Sequence, residues 1–321
     1  MKKLLLALIV TVIGMMMACA HAAATPAQPL EKLTVMLDWF PNPDHAPLLV
    51  AQQQGFFKEQ GLEVQLLEPV RSNDPATWVT QGKADIGISY EPEYIEQIDR
   101  GLPLVRVGTL IDKPLGCIVA LKSSGIHSLA DLKGKRIGRD ADGLSNIFLK
   151  VVLAKAGLTE KDVQLVNLST NPTQALLSHQ VDVVTGMMRN FSVPMLEAQG
   201  YNLVTFFPEE HGIPNYSVLI FTTNLAKAHD ARLPRFLSAI KKAVAYLDQH
   251  PQQTWQQFAK QYPEANNELN REAWFATLPY FAENPAAFNG KASLQFAEFM
   301  QHHQLIKKVQ PLSRYAVTLK G

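Results

Sequence analysis

The sequence alternates short apolar strands with helical stretches, breaks off near residue 115, and begins the same alternation again. In the first run, strands are expected at Leu33–Leu37, Leu62–Leu67, Ala84–Tyr90 and Leu102–Leu110. Helices fall between them, at Ala46–Glu59, from Pro75 to near Gly82, and from Glu91 onward. Strand–helix alternation at this spacing gives a mostly parallel sheet covered by helices. The second run places strands at Leu115–Lys122, Arg136–Gly138, Val163–Leu168, Val181–Gly186 and Leu203–Phe207. Its helices are Ser128–Lys135, Leu144–Gly157, Pro172–His179 and Phe191–Gly200. Val218–Thr223 reads as a return strand. The helices Leu233–Gln249, Gln252–Tyr262, Glu272–Ala282 and Ala292–His302 follow it. The expected fold class is therefore α/β, with two lobes and a ligand cleft between them. One lobe is built from residues 25–115 and 222–321, and the other, 116–221, is inserted into it. Extended crossings near 112–120 and 214–222 would serve as the hinge.

A chain of 321 residues with 47% apolar content is long enough for two such cores. Its start reads as a secretion signal over residues 1–24: Lys2 and Lys3, an apolar run from Leu4 to Met17, then small residues with an A-x-A pattern at Ala20, His21 and Ala22. Cys19 leaves a lipid anchor open as the alternative. No later run of 18 apolar residues exists, so no membrane span is expected. Losing Lys2 and Lys3 takes the formal charge from +1 to −1, which removes any basic excess for nucleic acid or a membrane surface. With Cys117 the one cysteine beyond the signal, no internal disulfide is expected, and Cys117 reads as a packed core thiol.

The loop from Leu37 to Pro47 is the richest candidate site. It carries Asp38, Trp39, Asn42, Asp44 and His45 among three prolines, between a buried strand and a helix. Open α/β sheets bind ligands at the carboxyl ends of their strands. Trp39 and Tyr90, at strand ends, and Tyr216, near the return crossing, are candidate aromatic faces of the site. The alternative is that Trp39 and Phe40 are core aromatics. Asn42 both donates and accepts, and Asp38 or Glu91 could accept a hydrogen bond in the site. His45 is expected to be partly exposed, as a polar wall rather than a proton-transfer group. From the second lobe come Asp142, Arg189 and Asn190, with helix capping as the alternative for Asp142. Adjacent His302 and His303 do not share a helix face and suggest no metal site. No G-x-x-x-x-G-K-[ST] phosphate loop is present.

Three stretches resemble known solute-binding proteins. Gln81 to Tyr90 resembles the x-G-x-A-D strand of binding proteins for nitrate, sulfonates and thiamine precursors. Leu129 to Gly138 resembles their L-x-D-L-K-G-K-x-I-G turn. Asp38, Trp39, Phe40, Pro41 and Asn42 with His45, together with Glu209 to Pro214, resemble the thiamine-pyrimidine branch. The resemblance implies a type II periplasmic-binding-protein fold. It implies the extracytoplasmic component of an ABC importer for a formylaminopyrimidine or hydroxymethylpyrimidine precursor of thiamine. The implied partners are that small pyrimidine, a membrane permease and an ATPase subunit, with no nucleic acid, a monomeric state and no cofactor. One departure stands out: where the branch carries a Glu after the Arg-Asn-Phe segment, this chain has Ser192, which leaves Arg189 with less acidic company. The same fold resembles pyridoxal-phosphate-dependent pyrimidine synthases, but their cysteine-rich motif is missing from Asp182 to Asn190. No enzyme is expected. A binding protein for another heterocycle, a flavin fragment or a sulfonate is the main alternative, with a sensor role behind it.

Overall fold

The computed structural model describes residues 29–69, 74–139, 143–168 and 171–319. The expected signal, including Cys19, and the candidate Asp142 lie outside them. The strands are β1 (Glu31–Met36), β2 (Leu62–Leu67), β3 (Ile86–Tyr90), β4 (Leu104–Ile111), β5 (Gly116–Leu121), β6 (Arg136–Arg139), β7 (Gln164–Asn167), β8 (Val183–Met188), β9 (Leu203–Phe206) and β10 (Leu219–Asn224). They form two five-stranded sheets, ordered β2-β1-β3-β10-β4 and β7-β6-β8-β5-β9. In the first, β1 runs parallel to β2 and β3, while β10 lies antiparallel between β3 and β4. In the second, β6 runs parallel to β7 and β8, and β5 is antiparallel to β8 and β9. Each antiparallel strand directly follows a crossing between the sheets, so both lobes have the same plan. The return crossing is complete by Leu219, where β10 already pairs with Tyr90, so the expected boundary at 221/222 falls inside a first-sheet strand.

Local chemistry explains most element ends. The single helix expected over Ala46–Glu59 is two, Ala46–Gln53 and Phe56–Glu59, because Gly55 takes a left-handed conformation (φ 77°) between them. All eight residues of β4 are buried although it ends the sheet. The segment around Tyr280–Pro285 runs along it, with Asp112 N donating to Tyr280 O, Ala282 N to Leu110 O and Thr109 N to Pro285 O. That cover removes an exposed edge. Trp255, Phe258 and Trp274 pack together in the C-terminal helical layer.

The two widely shared motifs are structural. Asp85 accepts from Thr34 N and Oγ1 (both 3.0 Å), Lys227 Nζ (3.1 Å) and Arg232 Nη2 (2.9 Å), tying β1, β3 and the start of the Arg232–Gln249 helix together. Burial alone would raise its carboxyl. The Thr34 and Lys227 hydrogen bonds, helped by the Arg232 charge, outweigh burial and hold it below the ordinary 3.8. Asp131 similarly accepts from the backbone N–H groups of His127 and Ser128, at 3.0 and 2.8 Å, which fixes the turn before β6. Replacing Asp85 with Ala is expected to lower stability at pH 7 by about 2–3 kcal/mol in denaturant titrations. Because the folded-state value is depressed, this contribution is complete above the ordinary carboxylate value and fades as pH falls through the depressed one. The gap between parent and variant should therefore close in acid.

Candidate binding site

The site begins where β1 ends. Pro43 opens a tight 3-10 turn, Pro43–His45, and Asn42 caps it: Asp44 N donates to Asn42 Oδ1 (2.8 Å), and Asn42 Nδ2 donates to Phe40 O (2.9 Å). The Asn42 amide is thus used to shape the loop. The turn drives His45 inward. It is fully buried, contrary to the partial exposure expected, with Nε2 2.8 Å from Asp38 Oδ1. Its Nδ1 has no hydrogen-bond partner. The Nε2 hydrogen is donated to the Asp38 carboxylate. The Tyr90 hydroxyl, at the end of β3, also reaches Asp38. Burial and the nearby negative charges of Asp38 and Asp44 push its phenol well above 10, so it stays a donor.

Between the two sheets lies an inner cavity of about 250 Å³. The first lobe gives it Tyr90, Pro92, Glu93, Tyr216 and Val218, and the second gives Cys117, Phe148, Gly186, Met188 and Ile213 among others. Tyr216 is backed by Phe296, with ring centres 4.5 Å apart and planes 24° apart. Tyr90 and Met188 also line a second, more open cavity of about 380 Å³ bounded by Asp38, Trp39, Phe40, Asn42 and Asp44 on one side and Phe191 on the other. Trp39 and Phe40 are 64% and 55% exposed and meet edge to face, so they form a rim and no part of the core. Among the described residues, no Lys, Arg or His lines either cavity, while Asp38, Asp44 and Glu93 do.

Three expected site residues lie elsewhere or act otherwise. Glu91 is buried in the first lobe: Oε1 takes Arg106 Nη1 and Ser293 Oγ (both 3.1 Å), and Oε2 takes Ser217 N (2.6 Å). It lines a separate polar cavity of about 150 Å³. Arg189 is held by Glu209 through two hydrogen bonds of 2.8 and 3.0 Å and lies 4.0 Å above the Phe207 ring. Ser192 therefore does not leave it without acidic company. Asn190 is fully buried and donates to Asp44 Oδ1 (2.7 Å) and Thr277 Oγ1 (2.8 Å) across the lobes. The lining residues that sequence reasoning missed, Met188, Phe148 and Ile213 above all, are apolar and look like core residues. Cys117 is buried as expected, but it also borders the inner cavity. Its thiol donates to Met187 O, and burial pushes it up to about 12.

Two α/β lobes of one plan, joined by two crossings with a cavity at their strand ends, make a two-lobed type II periplasmic-binding-protein fold. The aliphatic-sulfonate-binding protein SsuA of Escherichia coli superposes with a TM-score of 0.71 at 17% identity, covering 91% of this chain and 94% of that one. The chain belongs to the NMT1/THI5-like family, whose model matches residues 42–254. It is 43% identical to a Haemophilus influenzae protein named as a putative thiamine biosynthesis protein, over 92% of this chain and 94% of that one. It is 29% identical to the formylaminopyrimidine-binding protein of Halalkalibacterium halodurans, over 88% and 86%. At 27%, over 78% and 80%, it also resembles a 4-amino-5-hydroxymethyl-2-methylpyrimidine phosphate synthase of Legionella pneumophila.

Proposed function

We propose that this chain captures an unphosphorylated aminopyrimidine precursor of thiamine outside the cytoplasm and hands it to the permease of an ABC importer. The observation that carries this reading is the cleft's lining: aromatic and apolar walls from both lobes, acidic side chains at Asp38, Asp44 and Glu93, and no cation among the described residues. A flat ring stacks on tyrosine and phenylalanine faces, and its amino group donates to a carboxylate. A sulfonate or phosphate would meet negative charge instead. Arg189, beside the cleft, is already paired with Glu209. The synthase reading draws no support from Cys117, whose buried, hydrogen-bonded thiol is a poor nucleophile. The formylaminopyrimidine-binding relative supports the ligand class.

A thermal-shift panel tests this. Formylaminopyrimidine, hydroxymethylpyrimidine and its phosphate ester, thiamine, pyridoxal phosphate, riboflavin and small alkanesulfonates are offered to the protein. A ligand at 100 times its Kd stabilises the folded state by about 2.7 kcal/mol. A shift of several degrees is expected with the two unphosphorylated pyrimidines and none with the phosphate ester or the sulfonates. A shift with a sulfonate and none with a pyrimidine would overturn the assignment.

A further inference from the structure

We infer that Asp44 and Asn190 are closure residues: packing the Asp44 carboxyl against the Asn190 amide couples shutting of the cleft to uptake of a proton from solvent. The pair spans the lobes. Asp44 sits in the first-lobe loop after β1, and Asn190 in the turn after β8. Asn190 is fully buried and Asp44 is 6% exposed. The Asn190 amide donates one hydrogen to Asp44 Oδ1 at 2.7 Å and the other to Thr277 Oγ1 at 2.8 Å. Thr277 gives its own hydroxyl hydrogen to Ala273 O (2.7 Å), so it serves Asn190 only as an acceptor. The Asn190 carbonyl oxygen Oδ1 is buried without a hydrogen-bond partner. Protonating Asp44 adds, on the residue already bonded to this amide, a hydroxyl donor that the ionised form lacks.

The surrounding charges point the same way. From the loop, Asp44 faces Asp38 and His45, and His45 already holds Asp38 at 2.8 Å. From β3 it faces the Tyr90 hydroxyl, which donates to Asp38. From the second lobe and the helix Glu268–Thr277 come only the neutral Asn190 and Thr277. Two carboxyl groups thus lie beside one imidazole, with Asp44 and His45 both buried, and a proton on Asp44 relieves the excess of negative charge. Burial, helped by the Asp38 charge, outweighs the pull of His45 and the hydrogen bonds from Asn190 and Thr277 and raises this carboxyl from 3.8 to about 7.

With the lobes apart, Asp44 loses the Asn190 side of its enclosure, and its carboxyl moves back toward the ordinary value of 3.8. Below that value it is protonated in both states, and above about 7 it is ionised in both, so closure does not depend on pH in either range. Between them, closing takes up a proton, and affinity for a ligand that shuts the lobes falls by up to about tenfold per pH unit as pH rises. Hinge closure of this kind is a rigid-body motion that changes molecular dimensions.

Small-angle scattering of the ligand-free protein reads the closure itself. The radius of gyration is expected to be smaller at pH 5 than at pH 8, and Asp44→Asn, which keeps an amide partner for Asn190 without a charge, should stay compact at both. Calorimetry with hydroxymethylpyrimidine from pH 5 to 8 should show Kd rising at least about tenfold for the parent. It should be nearly flat for Asp44→Asn, and Asn190→Asp, which opposes two carboxyls, should steepen the profile. Asp44→Asn keeping the parent's pH response in scattering overturns the inference, as does a parent whose dimensions ignore pH. If scattering responds as stated while no pyrimidine binds at any pH, closure coupling stands and the ligand assignment falls.

Discussion

Tyr90→Ala is expected to raise the Kd for the pyrimidine ligand by about 30- to 100-fold, roughly 2–3 kcal/mol, while the protein stays folded. Tyr90 borders both cavities, so its ring faces any ligand that enters past Trp39 and settles against Met188. Its hydroxyl also holds Asp38, which in turn holds His45, so the phenol orders the carboxylate as well as presenting a surface. Tyr90→Phe separates the two roles: it keeps the ring and loses only the hydroxyl, and should cost a fraction of the full effect. Calorimetry on both variants, with circular dichroism to show that they fold, makes the comparison. A Kd for Tyr90→Ala within twofold of the parent would remove β3's end from the site.

The neighbouring residue should behave in the opposite way. Glu91→Ala is expected to destabilise the protein by about 3–5 kcal/mol, because it strands the Arg106 guanidinium in the first-lobe interior. The side chains of Arg106 and Glu91 are 6% and 3% exposed, and Glu91 also satisfies Ser217 N–H and Ser293. Denaturant unfolding with an unchanged m-value would register the loss as stability, and residual binding by the folded fraction should be close to the parent's. A midpoint unchanged from the parent's would show that water reaches Arg106 and that the pair contributes little.

That contrast also shows what the sequence could reveal and what it could not. A carboxylate near the start of the helix after β3 was legible as a site feature. Which one was not, because Glu91 and Glu93, two positions apart, lie on opposite sides of a helical turn and only the helix's rotation decides which meets the cleft. Strand order was readable from spacing and apolar runs, and both motifs around Asp85 and Asp131 marked the fold because they bind backbone N–H groups. The burial of His45 is not legible in sequence, because its partner Asp38 lies seven residues back, across a proline-bent loop that periodicity does not describe. The acidic partner of Arg189 is not near position 192 in sequence but Glu209, brought close by the pairing of β8 and β9 with β5. Met188 and Phe148 wall a ligand cavity with the same side chains that fill a core, so composition does not separate the two roles.

The placement of β10 between β3 and β4 bears on the order in which the molecule is made. Every strand of the second sheet lies within one uninterrupted stretch, from Gly116 to Phe206, whereas β3 waits for a neighbour more than a hundred residues downstream: Ser89 meets Thr222 across 133 positions. Closing so long a loop is slow relative to local pairing. As the chain emerges, the inserted lobe has all its strands before the first sheet can be completed, and β4, whose strand partner is β10, stays unattached until then. The late event is therefore assembly of the first lobe, during which the apolar flanks of β3 and β4 are open to association with other chains.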